Sequence, residues 1–384
     1  MYECIKSFPA IDENTLEQRA VKFIVDGRLA GYPVQVLVTV WKILFCAEVE
    51  QGFENNKILE RTEWLVAYVN LIRSKDFDRT DISATIAVQT IITRELHQRD
   101  ITEQFLEEKV TSVDDFEWQK HLRFYWVAPD EMFTQQHYSS DYFHKTLSVR
   151  QLSTQYWYGY EYIGAAERLV ITPTIERCWM ALSQSLNWRQ GITLAGPSGT
   201  GKTHVIRDFA REIAIMCVTF MCSHQSEQRS LARLLRGVAQ EGCLVCFDSI
   251  NRAKANVLSV LAHLFSKIHN ALISGVDSFE LDESVIPIKH SLIAAATQNP
   301  LLPASIIATA TLPDSLRANF RSVSLFVPEL IPAMQSLLIA EGFIFFSKLK
   351  KNLKSISGTY ISPGSGCVGK TRSVGYPYVI FGCH

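Results

Sequence analysis

Residues 191–210, GITLAGPSGTGKTHVIRDFA, decide the fold. Ile192–Ala195 reads as a short buried strand, and His204–Ile213 reads as an amphipathic helix. Between them GPSGTGKT, residues 196–203, fits the pattern G-x-x-x-x-G-K-[ST]. The glycines let successive backbone N–H groups point inward around phosphates, at the positive end of the helix that opens at Gly201. Gly196, Pro197, Ser198, Gly199, Thr200, Gly201, Lys202 and Thr203 are therefore the candidate phosphate-binding residues. Lys202 is expected to reach the β and γ phosphates and Thr203 to ligate magnesium.

Downstream, apolar strands alternate with amphipathic helices, as in an α/β sheet with crossover connections. The expected strands are Cys217–Cys222, Cys243–Asp248, Leu292–Thr297 and Val323–Val327. Helices are expected over Glu227–Gln240 and Ala253–Leu272, with a hairpin over Val276–Pro287. A P-loop needs a carboxylate at the end of a neighbouring strand for the magnesium shell, and CLVCFD supplies Asp248. The next residue, Ser249, stands where ring ATPases usually carry a glutamate that polarises the attacking water. A serine cannot act as that base, so weak hydrolysis is expected unless another residue or a neighbouring subunit serves.

Asn299, after the fourth strand, is either a γ-phosphate sensor or a turn residue before Pro300. Arg321 is either a turn cation or a finger that reaches a neighbour's phosphate. Cys243 and Cys246 form a C-x-x-C, but inside an apolar strand with no matching pair they read as core thiols. A second P-loop match, GSGCVGKT at Gly364–Thr371, follows a proline and precedes no apolar helix, so it reads as coincidence.

Lysine and arginine number 38 against 39 aspartates and glutamates, which removes any global basic excess for nucleic acid or an anionic membrane. The 9 cysteines lack a disulfide framework, and the N-terminus lacks a secretory signal, so an intracellular, reducing setting is expected. His290–Pro313 carries no formal charge, yet Gln298, Asn299, Pro300 and Pro303 interrupt it, and no membrane span is expected there.

Residues 11–110 read as successive helices, with Ala84, Val88, Ile92 and Leu96 at four-residue spacing and with breaks at Gly31-Tyr32-Pro33 and Ser74–Asp81. Between Asp114 and Tyr162 the chain is aromatic, and Phe124 and Trp126 on one parity suggest short strands or an extended docking segment. Beyond Gly342 a Gly, Ser and Tyr mixture without period reads as disordered.

LVITPTIERCW, GPSGTGKTHVIRDFA, CSHQSEQRSLARLLRGVAQEG, CFDSINR, VLSVLAHLF, TQNP and LPDSLRANFRSV together resemble the first AAA+ module of a dynein heavy chain. VTSVDDFEWQKHLRFYW and QYWYGYEYIG resemble the end of the dynein linker, and the likeness runs from Ile82 to Phe343. It implies an α/β AAA+ P-loop core, a five-stranded parallel sheet with flanking helices, preceded by a mainly helical linker end. The implied division is 1–162 linker-like, 163–343 ATP-binding module and 344–384 an unmatched tail.

The resemblance further implies ATP and Mg2+ as cofactors and Gly196–Thr203 as the Walker A loop. It makes Asp248 the Walker B aspartate, Asn299 the first sensor, and Leu169–Pro173, with Ile171 and Pro173, the wall against adenine. Lys202, Asp248 and Asn299 are the implied catalytic residues, with Thr203 and Asp248 at the metal. In that family the module is the main hydrolytic site of a six-module ring whose linker swings to move along microtubules. Partners implied are microtubules, through other parts of a full heavy chain, and intermediate, light intermediate and light dynein chains. The implied location is cytoplasm and cytoskeleton, with the YGYEY and LVITP wording closer to ciliary, axonemal heavy chains.

Three departures stand against the family pattern. Ser249 replaces the Walker B glutamate, QNPLLPASIIATATLP replaces a glycine-bearing loop after the sensor, and no helical lid is matched beyond Phe343. A hydrolysis-deficient, nucleotide-holding fragment with a structural role is thus the competing expectation, and the loss of pattern at Ile344 suggests a truncated or degenerate copy.

Overall fold

The computed structural model describes residues 33–55, 82–127, 147–164, 169–223, 225–281, 284–300, 312–327 and 330–340. Expectations for the tail 344–384, its second GSGCVGKT, the breaks at Gly31-Tyr32 and Ser74–Asp81, and residues 301–311 lie outside that set. The chain begins its described part with two long helices, α1 (Val34–Asn55) and α2 (Ile82–Glu108). Ile92 and Leu96 are buried to 3% and 1% exposure, as the four-residue spacing requires, whereas the side chains of Ala84 and Val88 are outside the described set.

A short helix, α3 (Phe116–Gln119), drops Trp118 between α1 and α2. Its ring meets Phe45, Phe53 and Phe105 edge-on at centroid distances of 6.2, 6.1 and 5.8 Å, the arrangement that aromatic quadrupoles favour. Its indole N–H donates to Glu50 at 3.1 Å, so no polar atom of the ring is stranded. An antiparallel sheet of β1 (Arg123–Trp126), β2 (Leu147–Gln151) and β3 (Thr154–Trp157) follows. The aromatic stretch therefore forms strands, and Phe124 and Trp126 share one face of β1, opposite Val149 and Leu147. Phe124 is buried, and Trp126 at the strand end is 40% exposed.

The segment after β3 docks by its main chain. Gly159 N–H donates to Ile213 O at 2.9 Å, and Glu161 N–H donates to Ala214 O at 3.1 Å. A Cβ at Gly159 would stand 2.2 Å from Ala214 O, so only glycine permits this approach. Tyr158 Oη lies 3.0 Å from Thr39 Oγ1 on α1, which ties that helix to the segment after β3.

The remaining elements are α4 (Pro173–Asn187), β4 (Gly191–Ala195), α5 (Lys202–Glu212), β5 (Cys217–Met221), α6 (Gln228–Glu241) and β6 (Leu244–Asp248). A 3-10 turn (Ile250–Arg252) then leads to α7 (Ala255–Ser274), the β7 (Ser278–Leu281) and β8 (Ser284–Pro287) hairpin, and β9 (Ile293–Gln298). Helix α8 (Asp314–Asn319), β10 (Phe320–Ser324) and α9 (Leu330–Ala340) complete the described chain. Five parallel strands are ordered β10-β4-β9-β6-β5. The later strand β9 is thus inserted between β4 and β6.

Most expected elements stand within a residue or two of the observed ones. The fifth strand is three residues earlier than expected, because Phe320 is the buried anchor, 4.7 Å from Phe265, while Phe326 and Val327 are exposed. The start of the uncharged stretch at His290 is a turn followed by the buried core strand β9. Helix α7 is long and apolar enough to cross a bilayer, yet nine of its side chains are buried, and it packs as a core helix.

A continuous apolar core joins α1, α2 and the three-stranded sheet to α4, α5 and the inner strands. Within it lies one charged cluster. Glu212, the last residue of α5, is 2% exposed and pairs with Lys42 of α1 and, at 3.0 Å, with Arg94 of α2. Removing one member of such a group leaves the others charged and desolvated. Glu212→Ala is expected to lower unfolding free energy by about 3–5 kcal/mol in guanidinium titrations, whereas a loss under about 1 kcal/mol would show that the carboxylate does not hold these helices.

Candidate nucleotide-binding site

Strand β4 ends at the loop that the sequence singled out. Gly196 N–H donates to Gln298 O of β9 at 3.1 Å, and Leu325 N–H, just past β10, donates to Ala195 O at 2.7 Å. The loop therefore starts wedged between two strand ends, and a Cβ on Gly196 would lie 2.3 Å from Leu325 O. Gly199 and Gly201 have φ of +82° and +80°, a region that side chains disfavour, with open space on their Cβ sides. These glycines leave a backbone concavity at the N-terminus of α5, where the helix carries partial positive charge.

Lys202 bends back over this concavity. Its Nζ donates to Gly196 O at 2.9 Å and Pro197 O at 2.5 Å, and it lies 3.5 Å from Thr200 Oγ1. Partial burial lowers its ammonium pKa, and the charge of Asp248 offsets part of that effect. Thr200 is buried and donates to Pro197 O at 3.0 Å, while Ser198 and Gly199 are exposed at the tip. The carbonyls that hold Lys202 are poor partners for an ammonium compared with phosphate oxygens, and the loop fits a polyphosphate for that reason.

Thr203, 45 positions before Asp248 in sequence, donates to its Oδ1 at 3.0 Å. Thr297 at the end of β9 donates to the same oxygen at 2.6 Å and accepts from Ser249 N–H at 2.8 Å. The P-loop threonine and the carboxylate of β6 therefore meet, and a second hydroxyl fixes the carboxylate. Ser249 has φ 56° and ψ 49°, a left-handed conformation that is uncommon outside glycine and tends to occur at functional positions.

The other predicted residues are placed as follows. Asn299 follows β9, and its carbonyl accepts from the buried Asn251 side chain at 2.9 Å. Arg321 lies inside β10 rather than before it, donates to Gln184 at 2.8 Å, and stacks over Trp188 at 5.4 Å. It pairs in register with Ile192, near the start of β4, while the P-loop leaves the other end of that strand. Ile171 packs on the core, and Pro173 is exposed at the first turn of α4. Cys243 and Cys246 are both buried, and burial raises both thiols, in keeping with core cysteines.

Sequence reasoning missed Thr297 and Asn251. Nothing in the local pattern says that β9 enters between β4 and β6; once that order is known, a hydroxyl at the end of β9 must face Asp248. Asn251 gave no signal, since a polar residue after a strand is ordinary in a turn.

Comparison with known proteins agrees with this geometry. The family described as the hydrolytic ATP binding site of dynein motor region matches residues 158–360. Dynein axonemal heavy chain 6 of Homo sapiens is 33% identical over 333 residues, 84% of this chain and 8% of that protein. Dynein axonemal heavy chain 1 of Mus musculus is 32% identical over 330 residues, 84% of this chain and 7% of that protein. The flagellar outer arm dynein beta chain of Chlamydomonas reinhardtii is 32% identical over 319 residues, 81% and 7% of the respective chains. The chain thus spans less than a tenth of the length of these curated relatives. With its P-loop, its parallel sheet and this match over half its length, the chain belongs to the dynein heavy chain family and carries the AAA+ ATP-binding module of the dynein motor region.

Proposed function

We propose that the loop Gly196–Thr203 binds ATP with magnesium, and that Thr203 and Asp248 form the protein side of the metal shell. The observation that carries this reading is the contact between Thr203 and Asp248 at 3.0 Å directly below the glycine concavity. Lys202 leaves its carbonyl partners for the β and γ phosphate oxygens, Gly199 and Gly201 supply backbone N–H groups, and Thr297 keeps the Asp248 carboxylate oriented. Magnesium, when bound, neutralises phosphate charge and polarises the phosphoryl group. Ile171 and Pro173 border the adenine, and Asn299 faces the γ phosphate as the first sensor.

In a full heavy chain this module serves minus-end-directed movement along microtubules. The axonemal names of its relatives support a ciliary, axonemal setting within the cytoskeleton. Association with intermediate, light intermediate and light dynein chains is part of the same proposal and rests on membership of the heavy chain family alone.

A second reading is favoured by one residue. Ser249 offers a hydroxyl where a water-polarising carboxylate is needed, while its main chain is held in place by Thr297. The site then holds ATP and turns it over slowly, and the nucleotide acts as a structural ligand. A missing general base costs about 100-fold or more in rate.

Two measurements test these readings. Lys202→Ala is expected to weaken magnesium-ATP binding by roughly 30-fold, from the loss of about 2 kcal/mol of charge-assisted hydrogen bonding. Equal retention of labelled ATP by wild type and variant in a filter assay would contradict the assignment. Steady-state phosphate release is expected to be negligible and to rise only partly in Ser249→Glu; release by the unaltered chain at the rate of active ring ATPases would exclude the slow-turnover reading.

A further inference from the structure

Near the junction of the two long helices with α4, three ligand-type side chains converge from separate elements. His97 comes from α2, His121 from the turn between α3 and β1, and Glu176 from the first turn of α4. His121 Nδ1 lies 3.0 Å from Glu176 Oε1, His97 Nε2 lies 3.6 Å from the same oxygen, and one ligand atom from each residue falls within 4.8 Å of the others. Tetrahedral zinc with bonds of about 2.0–2.1 Å to nitrogen and oxygen sets its ligands about 3.3 Å apart, so these separations need little adjustment.

The cluster borders a cavity of about 40 Å³ that is also lined by Cys46 and Ile171. A cavity of that size holds a metal-bound water, since one water needs about 10–15 Å³. His121 is 6% exposed and faces Glu176 with Nδ1, the ligand atom; its other nitrogen, Nε2, is buried without a hydrogen-bond partner among the described residues and is not the atom that meets the metal. This is an unmet polar atom of the kind a native interior seldom leaves. We propose that His97, His121 and Glu176 bind one zinc ion, with water from the cavity as fourth ligand, across the junction between the linker-like helices and the nucleotide-binding core.

Lys42, Arg94 and Lys120 line the same cavity and oppose a metal, and each is engaged by a carboxylate: Lys42 and Arg94 by Glu212, Lys120 by Glu117. Imidazole ligands favour zinc and its transition-metal neighbours over magnesium, which prefers oxygen, so this site is chemically distinct from the one at the P-loop. Cys46 also lines the cavity, and its Sγ accepts from Phe124 N–H at 3.3 Å.

The test uses the full chain, freed of any histidine tag and without nucleotide. Expected results are one equivalent of Zn2+ retained through gel filtration, a raised unfolding temperature with Zn2+ but not Mg2+, and at least about 10-fold weaker uptake in both His97→Gln and Glu176→Gln. Uptake that both variants leave unchanged, or no binding tighter than about 1 μM, would overturn the proposal. Should either variant fail to fold, Co2+ bound to the unaltered chain decides. Tetrahedral visible bands without sulfur-to-metal charge transfer support the site, and a thiolate charge-transfer band assigns the metal to cysteines instead.

Discussion

The structure turns on the carboxylate of Glu212. It lies at the negative end of α5, where a carboxylate is disfavoured by the helix dipole, and it is almost wholly withdrawn from water. Both costs are met by Lys42 and Arg94, which arrive on separate long helices. The pairing therefore does more than neutralise a charge. It requires α1, α2 and the end of α5 to be in one place, and the main-chain bonds of Gly159 and Glu161 to the same end of α5 close the arrangement.

The opposite end of that helix is the P-loop. Helix α5 runs eleven residues, about 16 Å at 1.5 Å per residue, from Lys202 to Glu212. Its first residue belongs to the glycine loop and its last is gripped by the linker-like helices, so the nucleotide site and that region share one rigid element. The His97, His121 and Glu176 cluster lies on the same junction and ties α2 to α4 a short distance away.

What was legible in the sequence was local. The strand, glycine loop and helix at 191–210 could be read because apolar period, glycine placement and a terminal Lys-Thr pair all point the same way. The hairpin and the buried third strand were legible for similar reasons. Position in three dimensions was not: the order β10-β4-β9-β6-β5 leaves no trace in any one segment, and so Thr297 went unseen. The fifth strand was misplaced because VSLFV looks more apolar than FRSVS, although β10 sits at a sheet edge where only alternate residues need be buried. Nothing local singles out Glu212 or Glu176, since burial by distant helices is not a local property.

Thr297 has one more implication. Its hydroxyl receives the Ser249 N–H and holds Asp248 at the same time, so the backbone at position 249 is set by a neighbour and not by its own side chain. The demand that folding places on residue 249 is tolerance of the left-handed backbone, φ 56° and ψ 49°, which favours Gly, Asn and Asp over other side chains. Exchange of Ser249 leaves the Thr297–Asp248 contact in place, while any non-glycine residue there, serine or glutamate, carries the strain of that backbone.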